Sequence, residues 1–236
     1  MNFMVRPSKC FLFDYLEKTL KPYNQGMALD AGCANFKNRK FFKTDKYIGL
    51  DIDLEAIRAG IKKFLDNSSF GLLGDLSNLA VIPDNSFEAV VSTNTLYVLP
   101  WVLRFNAIKN LCRITSTNGI IFLDLEFDSQ SAQVIDLFKS NFQEVKVIYY
   151  KNIFSNFYEK IFERQGFLGD HPLAGKKSFR ILAWLISRLE FLTCRFSLLN
   201  KHLILIGTKK IGEAWNNQFE ISALPLMEPR IYYLMK

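Results

Sequence analysis

Three aspartates follow short apolar runs of the sequence, where they could act together on one ligand. Asp30 follows the run MAL, Asp51 ends the run YIGLD, and Asp75 ends FGLLGD. Such runs, bounded by polar residues, predict buried strands of a parallel sheet, and ligands of open parallel sheets bind outside the carboxyl ends of the strands. A carboxylate accepts hydrogen bonds through two oxygens. The three side chains therefore indicate a site for a ligand that carries hydroxyl and amino groups.

A glycine turn lies close behind the first of these aspartates. Gly32 lets the backbone approach a ligand closely because it has no Cβ. Asp51 lies about 20 residues past the turn, the separation at which an acid on the second strand reaches a ribose diol. Asp75, one strand further, is placed to accept a hydrogen bond from an adenine amino group. A dinucleotide fingerprint needs three glycines at offsets that here hold Gly32, Ala34 and Lys37, so a pyrophosphate site is disfavoured.

Each aspartate also has an interpretation without a ligand. A carboxylate at a strand end can cap the following helix or remain in solvent. For one aspartate the two interpretations are evenly matched, but three in register with Gly32 favour the ligand site. Cys33 is predicted to be a small packing residue and not a nucleophile, because no motif places a base beside it.

Helical and strand patterns alternate along the first two thirds of the chain. Helices are predicted over 8–21, with Ser8 as N-cap, and over 54–67, 99–115, 130–141, 153–164 and 178–199, with a brief helix over 36–43. Strands are predicted over 27–29, 47–51, 70–75, 87–92, 120–127, 144–150 and 202–208. This alternation predicts an α/β, doubly wound, Rossmann-like sheet of seven mostly parallel strands.

The domain organisation follows from where the alternation stops. We expect a single domain over 1–236, with an N-terminal helix (8–21) and a ligand-binding core (25–150). A helical insertion, expected to act as a lid, spans 151–201 before the last strand (202–208), and the tail 209–236 shows no clear period. The insertion is far longer than a hairpin connection needs.

Composition restricts the partners. The net charge of +7 is compatible with nucleic acid, anionic lipid or acidic small substrates. No Lys/Arg run or RNA-binding module is recognised, so no nucleic-acid partner is expected. The four cysteines form no CxxC pair and the first residues turn polar too soon for a secretory leader, so we expect a cytoplasmic protein with reduced thiols and no metal site. No apolar stretch approaches the roughly 20 residues that span a bilayer.

Several segments together resemble the class I S-adenosylmethionine-dependent methyltransferases. LDAGCANF resembles the first motif of this family, YIGLDID the second, and GDLSNL and PDNSFEAVVSTNTLYVLP the third and fourth, as in its small-molecule branch. NGIIFLDLE resembles the strand that follows, so the similarity covers about residues 25–127. The departures are Ala34, where the family prefers glycine, and Phe36, where a small residue is common.

The resemblance implies S-adenosylmethionine as cofactor and a role for each matching residue. Asp30 would lie near the methionine moiety, Asp51 at the ribose, Asp75 at the adenine, and the segment 92–97 between cofactor and acceptor. The implied cofactor-binding residues are Asp30, Gly32, Cys33, Ala34, Asp51, Ile52, Asp75, Leu76, Ser92 and Asn94. Candidate bases for the acceptor are His171, Glu126 and Tyr97, in that order.

The function expected from these features is methyl transfer to a small acceptor or to a lipid- or glycan-linked one. The alternative is a catalytically silent protein that keeps the fold as a scaffold or binding module. Within 178–201, helical geometry brings Arg180, Arg188 and Arg195 into one sector of an otherwise apolar helix. That helix would either lie at an anionic membrane surface, making the protein peripheral at the inner face of a membrane, or pack into the domain with its arginines in solvent.

Overall fold

The computed structural model of the chain describes residues 4–64, 66–162, 172–212, 226–228 and 230–234. Helices and strands alternate along most of this length. In chain order they are α1 (Pro7–Leu20), β1 (Met27–Ala31), β2 (Lys46–Asp51), α2 (Leu54–Lys63), β3 (Ser69–Leu73), β4 (Phe87–Ser92), α3 (Trp101–Ile114), β5 (Thr115–Glu126), α4 (Ser131–Asn141), β6 (Phe142–Asn152), α5 (Ile153–Phe162), α6 (Lys177–Ser187), α7 (Glu190–Thr193), β7 (Asn200–Lys210), β8 (Leu226–Glu228) and β9 (Ile231–Tyr233).

The strands form one sheet in the order β6-β7-β5-β4-β1-β2-β3-β9-β8. β1 pairs in parallel with β2 and β4, β2 with β3, and β4 with β5. Parallel neighbours need crossover connections, which α2 supplies between β2 and β3 and α3 between β4 and β5. Since the strand order runs outward from β1 in both directions, the predicted α/β, doubly wound, Rossmann-like class is confirmed.

The central strands are buried along nearly their whole length. Leu29, Ile48, Val90 and Ile121 are completely inaccessible to solvent and represent β1, β2, β4 and β5. Parallel strands covered on both faces need continuous apolar runs in place of an alternating pattern, which is why short runs such as MAL and FEAVVS form them. The core of the protein therefore lies on these four strands, whose carboxyl ends carry the predicted site.

The C-terminal tail adds two strands that the sequence does not predict. β9 pairs in parallel with β3, and β8 pairs with β9 in the antiparallel direction. The Gly71 N–H donates to the Arg230 carbonyl at 2.7 Å, and Glu228 forms an ion pair with Arg58 of α2. The predicted seven-stranded sheet is thus extended at its β3 edge by two strands of three residues each. A strand of that length is too short to show a period.

The chain divides into two compact units. The sheet unit comprises Leu20–Leu125, Gln130–Lys146 and Leu205–Lys236, and the helical unit comprises Met1–Thr19, Glu126–Ser129 and Val147–Ile204. Helices α1, α5, α6 and α7 belong to the helical unit.

The single helix predicted over 178–199 is wrong. Helix α6 ends at Ser187, the short α7 spans Glu190–Thr193, and a 3-10 turn follows over Ser197–Leu199. The break is fixed by tertiary contacts on both sides of it. Arg188 forms an ion pair with Asp14 at 2.7 Å, and the buried Glu190 accepts the Asn152 N–H at 3.1 Å. The predicted arginine sector therefore does not form on one helix.

Two local predictions in the N-terminal half also differ from the structure. Helix α1 begins at Pro7, so Ser8 lies inside the helix and is not its N-cap; its hydroxyl instead donates to the buried Glu159. The brief helix expected over 36–43 is a 3-10 turn limited to Arg39–Phe41. In both places a side chain finds a partner far away in the sequence, which local patterns do not report.

Candidate functional site

The predicted site lies within the sheet unit, at the carboxyl ends of β1, β2 and β4. Asp30 pairs in register with Gly49 of β2 and with Val91 of β4. Asp51 is the last residue of β2 and stands opposite Leu73, and Asp75 follows two residues after β3 ends. The parallel register therefore brings the three aspartates to the same edge of the sheet, as the sequence predicts.

The glycine turn is held by backbone hydrogen bonds and by its left-handed geometry. The N–H groups of Gly32 and Cys33 donate to the Leu50 carbonyl at 2.8 and 3.1 Å. Gly32 has φ +77°, and a Cβ placed on it would collide with the side chain of Thr95. Two effects exclude a larger residue here: the left-handed φ disfavours any residue with a Cβ, and Thr95 occupies the space that the Cβ would need. Gly32 thus lets the turn lie directly against the loop that follows β4.

Asp51 is joined to this turn. Its Oδ2 accepts the Ala34 N–H at 2.7 Å, and its Oδ1 accepts the Asp53 N–H at 3.1 Å. The cap of α2 is supplied by Asp53, whose carboxylate accepts the N–H groups of Glu55 and Ala56. Each oxygen of Asp51 retains acceptor capacity. The alternative in which Asp51 caps the next helix is therefore wrong, and its carboxylate remains able to bind hydroxyl groups.

An exposed apolar side chain follows Asp51 directly. Ile52 is 74% exposed, although it is flanked by two aspartates at the edge of a buried strand. Contact between an exposed isoleucine and a planar apolar group is favourable, because it removes apolar surface from water. Beside a carboxylate with free acceptor capacity, it forms a surface with one polar and one apolar part.

Asp30 is placed differently from the other two aspartates. It is fully buried: its Oδ1 accepts from Asn38 Nδ2 at 3.0 Å and its Oδ2 from the Tyr47 hydroxyl at 2.8 Å. Burial raises the pKa of Asp30 to about 6, against the lowering effect of these two hydrogen bonds. Asn38 also donates to Thr93 Oγ1 at 3.0 Å. Asp30 therefore fastens the loop after the glycine turn to the end of β4.

Phe36 does not fill the crevice. It has φ +58° and is completely buried, and its ring meets Tyr47 at 5.1 Å between centroids. The ring takes the space that a Cβ would need at Gly49 and Gly60, so it lies between β2 and α2. The large residue at this position is thus matched by two glycines elsewhere in the sequence.

Cys33 also points into the interior. It is 1% exposed, and its sulfur lies where a Cβ on Gly49 would be. Burial raises the pKa of the Cys33 thiol well above its usual range. The side chain is therefore a packing residue, as predicted.

Asp75 and Leu76 begin the segment after β3. Asp75 is exposed, and its Oδ1 accepts both the N–H and the hydroxyl of Ser77, at 2.8 and 2.9 Å. Leu76 is 7% exposed and packs into the core beneath it. One oxygen of Asp75 thus stabilises a turn, which fits the alternative without a ligand, and the carboxylate still faces solvent.

The loop after β4 closes the other side of the glycine turn. The buried Ser92 donates its hydroxyl hydrogen to the Ala31 carbonyl at 2.9 Å. Asn94 has φ +58° and donates its N–H to Asp124 Oδ2 at 3.1 Å. Asp124 is fully buried near the end of β5 and is a site residue that the sequence analysis misses. Its signal is an acid inside the apolar run IIFLDLEF, where only a partnered carboxylate is stable.

Two of the three candidate bases lie among the described residues. Tyr97 is half-buried in the loop after β4, and its carbonyl accepts from Arg104 at 3.1 Å. Glu126 is exposed at the end of β5 and belongs to the helical unit. His171 lies outside the described residues.

Comparison with known proteins agrees with this geometry. Residues 29–123, which contain the glycine turn and the three aspartates Asp30, Asp51 and Asp75, match a family model described as a methyltransferase domain. This segment is similar to the class I methyltransferase domains. Methyltransferase domains of this class use S-adenosylmethionine as their cofactor. No curated protein matches the chain in sequence.

Solved structures share the fold of the domain at low sequence identity. The [4+2]-cyclase SpnF is 13% identical with a TM-score of 0.55, and the match covers 85% of this chain and 81% of SpnF. A TehB-like SAM-dependent methyltransferase from Corynebacterium glutamicum is 16% identical with a TM-score of 0.50, over 83% of this chain and 88% of its own. The YcgJ protein from Bacillus subtilis is 13% identical with a TM-score of 0.51, over 85% and 98% of the two chains.

Two further properties concern the described residues only. They contain no group of three or more His, Cys, Asp or Glu side chains arranged to hold a metal ion. None of their helices combines the length and the apolar character needed to cross a membrane.

Proposed function

We propose that the chain transfers the methyl group of S-adenosylmethionine to a small acceptor or to a lipid- or glycan-linked one. The observation that carries this proposal is the 2.7 Å hydrogen bond from the Ala34 N–H to Asp51 Oδ2. It joins the glycine turn to the acid that the resemblance assigns to the ribose. The exposed Ile52 beside it supports an adenine face at the same edge of the sheet.

In this proposal Asp51 accepts hydrogen bonds from the two ribose hydroxyls through its remaining lone pairs. Ile52 and Leu76 line the adenine, and Asp75 accepts from its amino group. The backbone of Gly32, Cys33 and Ala34 contacts the sugar and the methionine moiety.

Asp30 acts in the proposal as a positioning residue. Both of its oxygens are engaged by Asn38 and Tyr47, so it stabilises the loop next to the methionine moiety and does not itself bind the cofactor. Ser92 is also a positioning residue, because its hydroxyl donates to the Ala31 carbonyl. Asn94 lies in the loop after β4 and has its N–H held by Asp124.

The cofactor supplies a methyl group on a positively charged sulfur. A lone pair of the acceptor forms a bond to the methyl carbon on the side opposite the sulfur, and the carbon–sulfur bond breaks. The protein's task is to align the acceptor and to exclude water. We assign this task to the segment 92–97. An acceptor hydroxyl or carbon also needs a base, for which His171, Glu126 and Tyr97 are the candidates.

The acceptor class is supported by the surface of the segment 178–201. Leu182, Leu185 and Leu192 are 45%, 53% and 71% exposed, which suits contact with an apolar or lipid-linked acceptor at a membrane surface. Arg188 forms an ion pair with Asp14, so Arg180, Arg188 and Arg195 do not form the predicted membrane-facing row. A soluble small acceptor remains the simpler form of the proposal.

The ribose assignment is tested by calorimetry with S-adenosylmethionine. We expect Asp51→Ala to weaken binding by more than about tenfold, since a hydrogen bond to a charged group contributes about 1.5–3 kcal/mol. The matched control is Asp53→Asn, which removes the neighbouring charge but keeps an N-cap on α2, and it should leave the affinity within about twofold. Unchanged affinity in Asp51→Ala would refute the assignment.

A second candidate is a protein that keeps this fold without transferring a methyl group. One structural neighbour is a [4+2]-cyclase, so the fold serves more than one purpose. Incubation with methyl-labelled S-adenosylmethionine and an extract of metabolites and lipids separates the two. Label in a product with the parent protein and not with Asp51→Ala supports methyl transfer; cofactor binding without any labelled product favours the second candidate.

A further inference from the structure

Helix α5 turns its apolar side chains outward. The outward residues are Ile153, Phe154, Phe157 and Ile161, which are 60%, 51%, 66% and 42% exposed. At 100° per residue these four positions fall within one sector of about 100°. A surface helix normally buries such a sector, so the arrangement needs a physical cause.

The cause is a set of buried polar contacts on the opposite face of α5. Glu159 is 3% exposed and accepts the hydroxyl of Ser8, and Lys151 lies 3.6 Å from its other oxygen. Ser155 is fully buried and donates its N–H to the Asn152 side-chain oxygen at 3.0 Å. Rotating the apolar sector inward would strip these groups of their partners, and a buried carboxylate without partners is strongly destabilising. The outward sector is therefore fixed by the fold of the helical unit.

A neighbouring turn continues this apolar area. Leu198 and Leu199 of the 3-10 turn are 96% and 49% exposed, and they share a shallow cleft of about 200 Å3 with Ile153. Lys151 and Lys201 also line this cleft. We call the six residues Ile153, Phe154, Phe157, Ile161, Leu198 and Leu199 the α5 apolar surface.

The exposed charged side chains on the described residues of 151–162 and 172–201 are all basic. The described residues of 151–162 and 172–201 include only two acidic side chains, Glu159 and Glu190, and both are buried. The basic residues of the same segments are Lys151, Lys160, Lys176, Lys177, Arg180, Arg188, Arg195 and Lys201, most of them exposed. Lys160 falls beside the apolar sector of α5 in the helical projection. The exterior of these segments is therefore apolar and cationic.

We propose that the α5 apolar surface binds the surface of a membrane that contains anionic phospholipid. Apolar side chains enter the boundary between headgroups and acyl chains, while lysines at its rim meet phosphate groups. The complementarity of charge favours this partner over a second copy of the chain, whose equivalent surface would carry the same positive charge. The inference goes beyond the proposed function, because membrane binding requires neither the cofactor nor the acceptor.

The test is cosedimentation of the full chain with vesicles of phosphatidylcholine, alone and mixed with phosphatidylglycerol. We expect binding to the mixed vesicles and a loss of at least about tenfold in Phe157→Ser/Leu198→Ser, since each change removes a side chain that would otherwise be buried in lipid. Lys160→Glu/Lys201→Glu should weaken binding by at least about tenfold, because each basic residue near an anionic surface contributes about a fivefold factor.

A matched control changes exposed apolar residues of the sheet unit. Val81 and Ile211 are 46% and 49% exposed, and Val81→Ser/Ile211→Ser should bind the mixed vesicles like the parent. Cooperative thermal unfolding of each variant reports that it is folded, and both measurements are made without cofactor, so the two proposals fail separately. No binding of the parent to mixed vesicles overturns the inference. So does vesicle binding that the Phe157/Leu198 change leaves intact, or a parent dimer that this change dissociates without any vesicle binding.

Discussion

The packing of Phe36 beneath α2 predicts an unusual response to a helical glycine substitution. Gly60 lies in α2, where replacing glycine by alanine ordinarily stabilises a helix by about 1 kcal/mol. A Cβ at Gly60 would lie 2.6 Å from both Cγ and Cδ1 of Phe36 and 3.1 Å from its Cδ2. The ring is fully buried against Tyr47 and cannot move aside freely. Gly60→Ala should therefore be destabilising.

The magnitude follows from these two opposing effects. Overpacking a buried contact costs about 1–3 kcal/mol, so the net loss for Gly60→Ala should be about 1 kcal/mol. When the ring is removed by Phe36→Ala, the same change should instead stabilise the protein by about 1 kcal/mol. The two substitutions are thus coupled by about 2 kcal/mol, which is large for a pair outside a charge network.

The measurement is urea unfolding of the four proteins of this double-mutant cycle. Ala59→Gly is the control: it is an exposed position of the same helix, and it should lose about 1 kcal/mol whether or not Phe36 is present. If Gly60→Ala stabilised the parent protein as an ordinary helical glycine would, Phe36 would not lie between β2 and α2.

Three further predictions concern the site itself. The pKa of about 6 for Asp30 exceeds that of an unfolded aspartate, so its contribution to stability is complete below about pH 4 and is lost as pH rises through 6. The free energy of unfolding of Asp30→Asn, measured in urea, should therefore rise by about 2–3 kcal/mol relative to that of the parent between pH 4 and pH 7. Equal pH dependence of the two proteins would contradict this. Gly32→Ala should cost about 3 kcal/mol through its left-handed φ and the collision with Thr95, and Thr95→Ala should recover part of that loss in thermal unfolding. Ala34, with φ +45°, should accept glycine with a gain of about 0.5–1 kcal/mol and undiminished cofactor affinity by calorimetry; a loss of stability would argue against its left-handed conformation.

Local sequence patterns predict most strands of the sheet unit. The runs MAL, YIGLD and FEAVVS predict β1, β2 and β4 at nearly their observed bounds, because parallel strands buried on both faces need unbroken apolar sequence. The separation between Gly32 and Asp51 predicts an acid that reaches a ribose diol, and in the structure Asp51 accepts the Ala34 N–H of the glycine turn. These features depend on neighbours in the sequence and on the fixed geometry of a parallel sheet.

Only tertiary contacts decide the remaining features, because their partners lie far apart in the sequence. The direction of Phe36 depends on two glycines 13 and 24 residues away, and the burial of Asp30 depends on Asn38 and Tyr47. Helix α6 ends where Arg188 reaches Asp14, 174 residues earlier. The apolar face of α5 is outward because Glu159 is held inside by Ser8. The sequence by itself determined the fold class and brought the three aspartates to the carboxyl ends of neighbouring strands. The tertiary structure decided which of these side chains are buried and which are exposed, because burial of a polar group depends on partners that no local pattern contains.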